Sequence, residues 1–343
     1  MTQRTSYPLG KLPSDHLARL LARYGPTDPA VVVGPNIGED AAVLAVSADG
    51  YLVVKSDPIT FATQEIGWYA VHVNANDLVC TGARPRWWMA TVLLPEGGAT
   101  PDLVDSIFAQ MMDACGHLGA QLIGGHTEIT HGLDRPIVVG MMLGQVAPDQ
   151  VVSTAGARPG DDLVLTKGIA VEGTAIIARE LEDQLAVHFG QEFLDRCAGF
   201  LHDPGISVAR DAGVALERAR GRVHSMHDPT EGGLATGLYE LAAAAGCGLE
   251  IDGDSLPILA ETRALCDHLG LDPLGLIASG SLLIALDPAA STEVVAGLIA
   301  AGIDARVIGR VLAPGEGVTI LRDGRREAMP VFEADELARL FEA

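Results

Sequence analysis

The chain has 343 residues, of which 48% are hydrophobic and 4% aromatic, so it is long enough for two domains with aliphatic cores. Its 45 acidic and 23 basic residues give a formal charge of −22, which argues against nucleic acid or an anionic membrane surface as a partner. No apolar run approaches membrane-spanning length and the N-terminus lacks an apolar signal region, so we expect neither a membrane span nor a signal peptide. The five scattered cysteines form no CxxC pair, and we expect free thiols in a reducing cytoplasm.

The first half of the sequence predicts a domain over residues 1–150. A short amphipathic helix begins near Ser14, and further helices are expected at 65–80 and 102–118. Apolar runs bounded by turn residues predict strands at 31–33, 41–46, 51–55, 87–94, 121–123 and 136–146. Residues 147–158 are polar and rich in turn formers, so we place a domain boundary there.

The second half predicts another mixed domain over residues 158–320, followed by a C-terminal extension, 321–343, with a terminal helix. Strands are expected at 162–166, 223–226, 277–286 and 305–311. Helices are expected at 174–185, 203–216, from Leu234 to Ala245, and at 293–301. Both halves mix strands and helices, so the fold class is α/β or α+β.

Three polar residues interrupt the apolar helix expected at 65–80: Asn74, Asn76 and Asp77. Asn and Asp favour caps and turns over helix interiors because their side chains compete for backbone hydrogen bonds. Asn74 and Asp77 are three residues apart and share one helix face. That face could be turned to solvent, or it could supply a carboxylate and an amide to a site for a hard metal ion.

Four acids in the first half are expected at junctions of strands, helices and glycine or proline turns: Asp40, Asp57, Asp77 and Glu128. Each alone could cap a helix or stabilise a turn. Together they predict Mg²⁺ held between the protein and phosphates, and no residue combination suggests a softer metal. Residues 34–40 lack the P-loop ending and no GxGxxG is present, so any ATP site lies outside the common nucleotide folds.

A second motif, Asp-Pro-Thr-Glu-Gly-Gly, occupies residues 228–233. Asp228 can be read as a helix N-cap, whereas Gly232 and Gly233 are not explained by capping and could present amides to an anion. The two interpretations are compatible.

Lys167, beside Gly168, could meet a phosphate as a point charge or be a solvated loop lysine. His126 and His227 adjoin motif acids and could transfer protons or be hydrogen-bonded structural histidines.

The motifs occur in a fixed order: Gly-Glu-Asp-Ala-Ala at 38–42, Ser-Asp-Pro at 56–58, Asn-Asp-Leu at 76–78, Gly-Gly-His-Thr-Glu at 124–128, Pro-Gly-Asp at 159–161, and the motif at 228–233. This set resembles the PurM-like (AIR synthase-related) superfamily over about residues 8–320, and most closely its HypE-like proteins. The resemblance implies a two-domain fold whose N-terminal mixed sheet forms a barrel in a homodimer, with ATP in the cleft. It also implies that Asp40, Asp57 and Asp77 hold Mg²⁺–ATP and that Asp228 adds a ligand from the second domain.

Residue patterns and resemblance together define the predicted site. The predicted metal ligands are Asp40, Asp57, Asp77, Glu128 and Asp228. The predicted nucleotide-binding residues are Gly38, Asn74, Asn76, Gly124, Gly125, Thr127, Gly232 and Gly233. The predicted catalytic residues are Asp77, His126 and Lys167.

Two positions depart from the HypE pattern. HypE ends in a cysteine that accepts a carbamoyl group, whereas this sequence ends Leu-Phe-Glu-Ala and its last cysteine is Cys266, so we do not expect that chemistry. His126 stands where related proteins often have Asp, although Glu128 could compensate.

We therefore expect an ATP- and Mg²⁺-dependent enzyme that phosphorylates or activates an unknown small molecule. The alternatives are a thiamine-monophosphate kinase and a non-catalytic ATP-binding scaffold that acts with a maturation partner.

Overall fold

A computed structural model describes residues 12, 14–26, 28–47, 50–60, 62 and 64–342. The strands form two separate sheets, one built from residues 31–146 and the other from residues 162–328, and helices pack on both. The mixed α/β class expected from the sequence is confirmed. Within the described part of the chain, no helix combines the length and apolar character that crossing a bilayer requires.

The first sheet has six strands in the order β1-β2-β3-β6-β4-β5. Its neighbours pair antiparallel except for β4 and β5, which are parallel. The strands are β1 Val31–Val33, β2 Ala42–Ala45, β3 Tyr51–Ile59, β4 Arg84–Pro95, β5 Gln121–Thr130 and β6 Ile137–Val146.

Three of these strands, β3, β4 and β5, are longer than predicted. We expected β5 to end at Ile123, but Gly124–Glu128 continue the strand and pair with residues 89–93 of β4. A Cβ on Gly125 would clash with the Ala90 carbonyl oxygen, so glycine permits the close pairing instead of ending the strand. Likewise β3 continues past Lys55, and Asp57 lies within it opposite Gly140. The expectation that Asp57 and Glu128 lie at strand ends is therefore wrong.

Three helices belong to the first domain: α1 Ser14–Tyr24, α2 Ile66–Cys80 and α3 Pro101–Leu118. Helix α3 begins where its capping residues predict, because the Thr100 side chain accepts a hydrogen bond from Leu103 N (3.2 Å) and proline occupies the first turn. Helix α2 packs between α3 and strands β3 and β6, and all fifteen of its residues are buried. The helix prediction is confirmed, and the interpretation of its polar residues as a solvated face is wrong.

The second sheet has seven strands in the order β13-β12-β9-β11-β7-β10-β8, antiparallel except for the pair β12 and β9. The strands are β7 Asp162–Thr166, β8 Val223–His227, β9 Gly248–Asp252, β10 Leu283–Leu286, β11 Ala305–Leu312, β12 Val318–Arg322 and β13 Arg325–Ala328. Its helices are α4 Val171–Glu180, α5 Glu182–Phe189, α6 Gln191–Gly199, α7 Ala209–Ala219, α8 Gly233–Ala245, α9 Ala260–Leu269, α10 Pro288–Ala300 and α11 Glu336–Glu342.

Buried hydrogen bonds join the two domains. The Asn76 side chain on α2 donates to Ile206 O (2.7 Å) and accepts from Val208 N (2.9 Å), just before α7. A short helical turn, Thr154–Gly156, leads from the first sheet to the second and contacts β8 and α8. These contacts place the end of α2 against the end of β8, where the motif at residues 228–233 begins.

Candidate active site between the domains

A cavity of about 520 Å³ opens between the two domains. Its volume lies in the range of small-molecule sites. The first domain contributes the loop 36–40, Lys55, Asp57 and Asp77, and the second contributes His227, Asp228, residues 230–232 and the start of α8. Leu12, Leu17, residues 332–335 and Ala338 also line the cavity.

Asp40, Cys80 and Asp228 converge at this junction. One potential ligand atom from each lies within 4.8 Å of those from the other two. Asp228 is buried, and its Oδ1 accepts a hydrogen bond from Cys80 Sγ (3.6 Å). Asp228 Oδ2 is buried with no hydrogen-bond partner among the described residues. An unpartnered buried carboxylate oxygen is unfavourable without a cation or donor, so this corner of the cavity suits a bound cation.

Burial and mutual repulsion perturb these acids. Burial, followed by the charges of Asp77 and Asp40, raises the pKa of Asp228 well above its usual value. Burial together with the Asp228 and Asp40 charges also raises the pKa of the Cys80 thiol. A divalent cation would relieve this repulsion, because it supplies two positive charges to several carboxylates at once.

Lys55 supplies one positive charge inside the cavity. Its Nζ lies 3.0 Å from Asp77 Oδ2 and 3.5 Å from Asp57 Oδ2. Burial alone would lower the pKa of Lys55, but the two carboxylates reverse that effect and keep the ammonium charged. Burial raises the pKa of Asp77 to about 7 despite Lys55, because Asp40 and Asp57 add repulsion.

His227 joins the carboxylates of two different elements. Its Nδ1 lies 2.7 Å from Asp40 Oδ1, and its Nε2 lies 3.1 Å from Glu240 Oε2 on α8. Burial opposes the charged imidazolium, but the two carboxylates outweigh it and raise the pKa of His227 well above its usual value. Thr154 Oγ1 donates to Asp40 Oδ2 (3.3 Å), so Asp40 is oriented from both sides.

The loop before β2 is held against the second domain. The Glu39 carboxylate accepts hydrogen bonds from Thr154 N (3.3 Å) and Ala155 N (3.1 Å). Gly38 has φ of 81°, and a Cβ there would collide with the Glu240 carbonyl oxygen. Glycine is therefore required for the loop to approach α8 closely enough to bring Asp40 to His227.

The N-cap interpretation of Asp228 is wrong. Helix α8 begins at Gly233, with Gly232 at the N-cap position and no side-chain capping bond. Gly232 N donates to Asp335 Oδ2 (2.6 Å), and Gly233 N donates to Thr230 O (3.0 Å). Both amides are thus satisfied within the protein, and their predicted role in phosphate binding stays a prediction.

Several predicted site residues lie apart from the described cavity walls. Gly124, Gly125, His126, Thr127 and Glu128 follow one another along β5, where His126 Nε2 lies 3.3 Å from Glu128 Oε2 and both side chains are exposed. Their metal, nucleotide and catalytic roles stay predictions.

The remaining predicted residues are buried. Asn74 Nδ2 donates to Asp57 O (3.1 Å) and Ala70 O (2.9 Å), and Asn76 clamps the domains together as described above. Lys167 Nζ donates to Ser207 O (2.6 Å) and lies 3.4 Å from Asp211 Oδ2. The solvated-loop interpretation of Lys167 is therefore wrong, and burial lowers its pKa although Asp211 partly offsets the effect.

Among the residues at the cavity that were missing from the predicted site are Lys55, Cys80, Thr154 and Glu240. Lys55 and Asp57 are two apart in a strand, and Asp77 and Cys80 are three apart in a helix, so each pair shares a face that the sequence could have indicated. Thr154 and Glu240 reach Asp40 and His227 only through the packing of the domains, for which the sequence offers no local signal.

Comparison with known proteins identifies the family. The description "AIR synthase related protein" fits residues 38–146 as its N-terminal domain and residues 158–322 as its C-terminal domain. Carbamoyl dehydratase HypE of Rhodobacter capsulatus is 30% identical over 322 residues, which cover 92% of this chain and 90% of the relative. The chain belongs to the AIR synthase-related, PurM-like family. Carbamoyl dehydratase HypE of Cupriavidus necator is 31% identical over 298 residues, covering 83% of this chain and 80% of the relative.

Solved structures agree with this assignment. HypE in complex with ATP matches with a TM-score of 0.71 and 26% identity, covering 97% of this chain and 98% of that structure. HypE in the HypE–HypF complex matches with a TM-score of 0.74 at 22% identity, over 92% and 99% of the two chains, which supports the fold alone. The two-domain PurM-like fold and the HypE-like resemblance are confirmed for this family member, and its named relatives are enzymes, as expected.

Proposed function

We propose that this protein is an ATP-dependent enzyme that transfers the γ-phosphoryl group of ATP to a small-molecule acceptor, or activates the acceptor by that transfer, with Mg²⁺ as the metal. The observation that supports this most strongly is the buried, unpartnered oxygen of Asp228 beside Asp40 and Asp77. Oxygen ligands of this kind, facing a cavity, are those that Mg²⁺ uses between protein and phosphates.

Each residue has a distinct task in this proposal. Asp40, Asp77 and Asp228 would hold the metal, and Asp57 would contribute from the more exposed end of the group. When bound, Mg²⁺ neutralises phosphate charge and orients the phosphate oxygens. Lys55 would offer its ammonium to a phosphate oxygen, and His227 would hold Asp40 in position through its 2.7 Å contact.

ATP is the nucleotide that the family relationship favours. HypE, the relative that matches over nearly the whole chain, has been solved in complex with ATP. A cavity of about 520 Å³ can enclose much of such a ligand. Because many acids line it, an anionic triphosphate requires accompanying cations, which is consistent with a metal-dependent enzyme.

We also propose a homodimer formed through β5. This strand lies at the end of the first sheet, so one of its edges is unpaired in the described chain. Ile123 and Ile129 on it are more than half exposed, at 54% and 60%. An exposed edge with apolar side chains is a template for pairing with another strand. The predicted roles of Gly124, His126 and Glu128 are proposed to depend on this pairing.

A maturation partner is a second proposal. One HypE has been solved in complex with HypF, and we propose a partner for this chain by analogy with that protein. In that case a partner protein would deliver the group that is activated. A cytoplasmic location is proposed with it, and every one of the five cysteines is a free thiol.

The phosphoryl-transfer proposal is tested by ADP production from Mg²⁺–ATP. Asp228→Asn and Asp77→Asn should each slow ADP release by about 100-fold or more, because a metal ligand is lost while the shape is kept. Glu192→Gln, on the exposed face of α6, is the control and should match the wild type. Equal rates for the wild type and both aspartate variants would overturn the proposal.

A further inference from the structure

The junction of the two domains contains a ligand type that Mg²⁺ does not prefer. Cys80 ends α2 one helical turn after Asp77, and its thiol is buried beside Asp228. Magnesium selects oxygen ligands, whereas thiolate sulfur selects zinc-class ions. The sequence suggested no residue combination for a softer metal, because Cys80 and Asp228 are far apart in the chain and meet only in the folded protein.

The distances around Cys80 fit a small tetrahedral ion. Cys80 Sγ and Asp228 Oδ1 are 3.6 Å apart. Usual zinc–sulfur and zinc–oxygen bonds in a tetrahedron separate the two ligand atoms by about 3.5 Å. One oxygen of Asp40 lies within 4.8 Å of Cys80 Sγ and of a carboxylate oxygen of Asp228. Three ligands of this kind leave a fourth position toward the cavity, as open zinc sites do.

A second observation points to a ligand at the same place. Asp228 is 1% exposed, and its Oδ2 has no hydrogen-bond partner among the described residues although it belongs to a cavity-lining side chain. Cys80 packs in one apolar cluster with Val152 and Met226, which keeps water from the back of the thiol. His227 fixes Asp40 by its 2.7 Å contact, an outer-shell bond of the kind that orients metal ligands.

We propose that Asp40, Cys80 and Asp228 form a mixed oxygen–sulfur site for a thiophilic divalent cation of the Zn²⁺ class, which includes Co²⁺ and Cd²⁺. On binding, a metal–sulfur bond forms, the S–H bond breaks, and the proton passes to solvent. The site needs the metal alone, so it is independent of ATP. Because it shares Asp40 and Asp228 with the proposed Mg²⁺ site, the two cations compete.

The test is a titration of the full-length, chelator-treated protein with Co²⁺ or Cd²⁺ in the absence of nucleotide. The wild type should develop a sulfur-to-metal charge-transfer absorption band that saturates at one ion per chain. Cys80→Ser should lose the band and bind at least about tenfold more weakly. Cys247→Ser is the matched control, since Cys247 is the one thiol of the five that is not buried, and it should retain band and affinity.

Serine keeps the hydrogen bond to Asp228, so the variant separates two roles of Cys80. Unchanged Cd²⁺ affinity in Cys80→Ser would show that Cys80 is not a metal ligand and only donates a hydrogen bond to Asp228. Loss of the band in Cys247→Ser, or no band in the folded wild type, would overturn the thiolate ligand as well. If Cys80→Ser does not fold, Asp228→Asn, which keeps the thiol, should weaken Cd²⁺ binding, and unchanged affinity would again overturn the site. If the metal titration gives the band but the separate ADP assay detects no turnover, only the phosphoryl-transfer proposal is rejected.

Discussion

His227 Nδ1 lies 2.7 Å from Asp40 Oδ1, and this contact joins the second domain to the loop that carries Asp40. The other ring nitrogen lies 3.1 Å from Glu240, so one buried imidazolium balances two carboxylates. The position of Asp40, and with it the geometry of the candidate metal site, therefore depends on a side chain from the other domain.

Replacing His227 by leucine should destabilise the protein by about 3 kcal/mol, because two largely buried carboxylates lose their counter-charge. Urea unfolding at neutral pH measures the change. His131→Leu is the control, since His131 is exposed although it pairs with Glu96, and it should change the free energy of unfolding by less than about 1 kcal/mol. Similar losses in the two variants would contradict the buried role of His227.

Lys55 and Asp77 should behave as one unit. Lys55→Met leaves Asp77 buried without its 3.0 Å partner and should cost about 3 kcal/mol. Adding Asp77→Asn removes the buried carboxyl that has lost its partner and should restore part of that loss, with a coupling free energy of about 1 kcal/mol or more. The four proteins of this cycle are compared by denaturant unfolding, and strictly additive effects would argue against the ion pair.

Glu172 should make the protein less stable as pH rises. It is buried, and burial raises the pKa of its carboxyl from 4.5 to about 7, although Ser279 N donates to it (3.3 Å). Between these pH values the native state binds more protons than the unfolded chain, so the free energy of unfolding decreases as pH rises.

Glu172→Gln removes this titration. Above neutral pH, the free energy of unfolding of the variant should therefore exceed that of the wild type by up to about 3 kcal/mol. Unfolding of both proteins at acidic and alkaline pH tests this, with Glu192→Gln as the exposed control. A difference between variant and wild type that is the same at both pH values would refute it.

Asn76 should be needed for the junction of the domains. Asn76→Leu removes the donor to Ile206 O and the acceptor for Val208 N, leaving two buried backbone groups unpaired. We expect a loss of about 2–4 kcal/mol. Asn36→Ala, at an exposed asparagine whose side chain accepts a hydrogen bond from its neighbour Ile37 N, should be nearly neutral in the same unfolding assay. Equal stability of Asn76→Leu and wild type would show that the two Asn76 hydrogen bonds are not needed to hold the domains together.

The strongest local patterns predicted the fold best. Helices α2 and α3 follow from apolar periodicity, and for α3 from the capping residue Thr100. Gly124 and Gly125 suggested a loop, since glycine often marks turns. They lie in β5 because they pair closely with β4, a tertiary contact that the local sequence does not reveal. Asp40, Asp57, Asp77 and Asp228 were recognisable as an ordered set.

The spacing of Cys80 and Asp77 could have placed the thiol on the same helix face as the predicted metal ligand, but nothing in the sequence indicated that Cys80 meets Asp228. Its role depends on Asp228, which follows it by 148 positions and reaches it only through domain packing.

In the proposed function, the acids between the domains bind ATP through a divalent cation. Calorimetric titration with a non-hydrolysable ATP analogue, with and without Mg²⁺, tests it most directly on the wild type and Asp228→Asn. We predict binding by the wild type only when Mg²⁺ is present, weakened by about tenfold or more in Asp228→Asn. Absence of binding by the wild type, or binding that neither chelation nor Asp228→Asn affects, would contradict the claim.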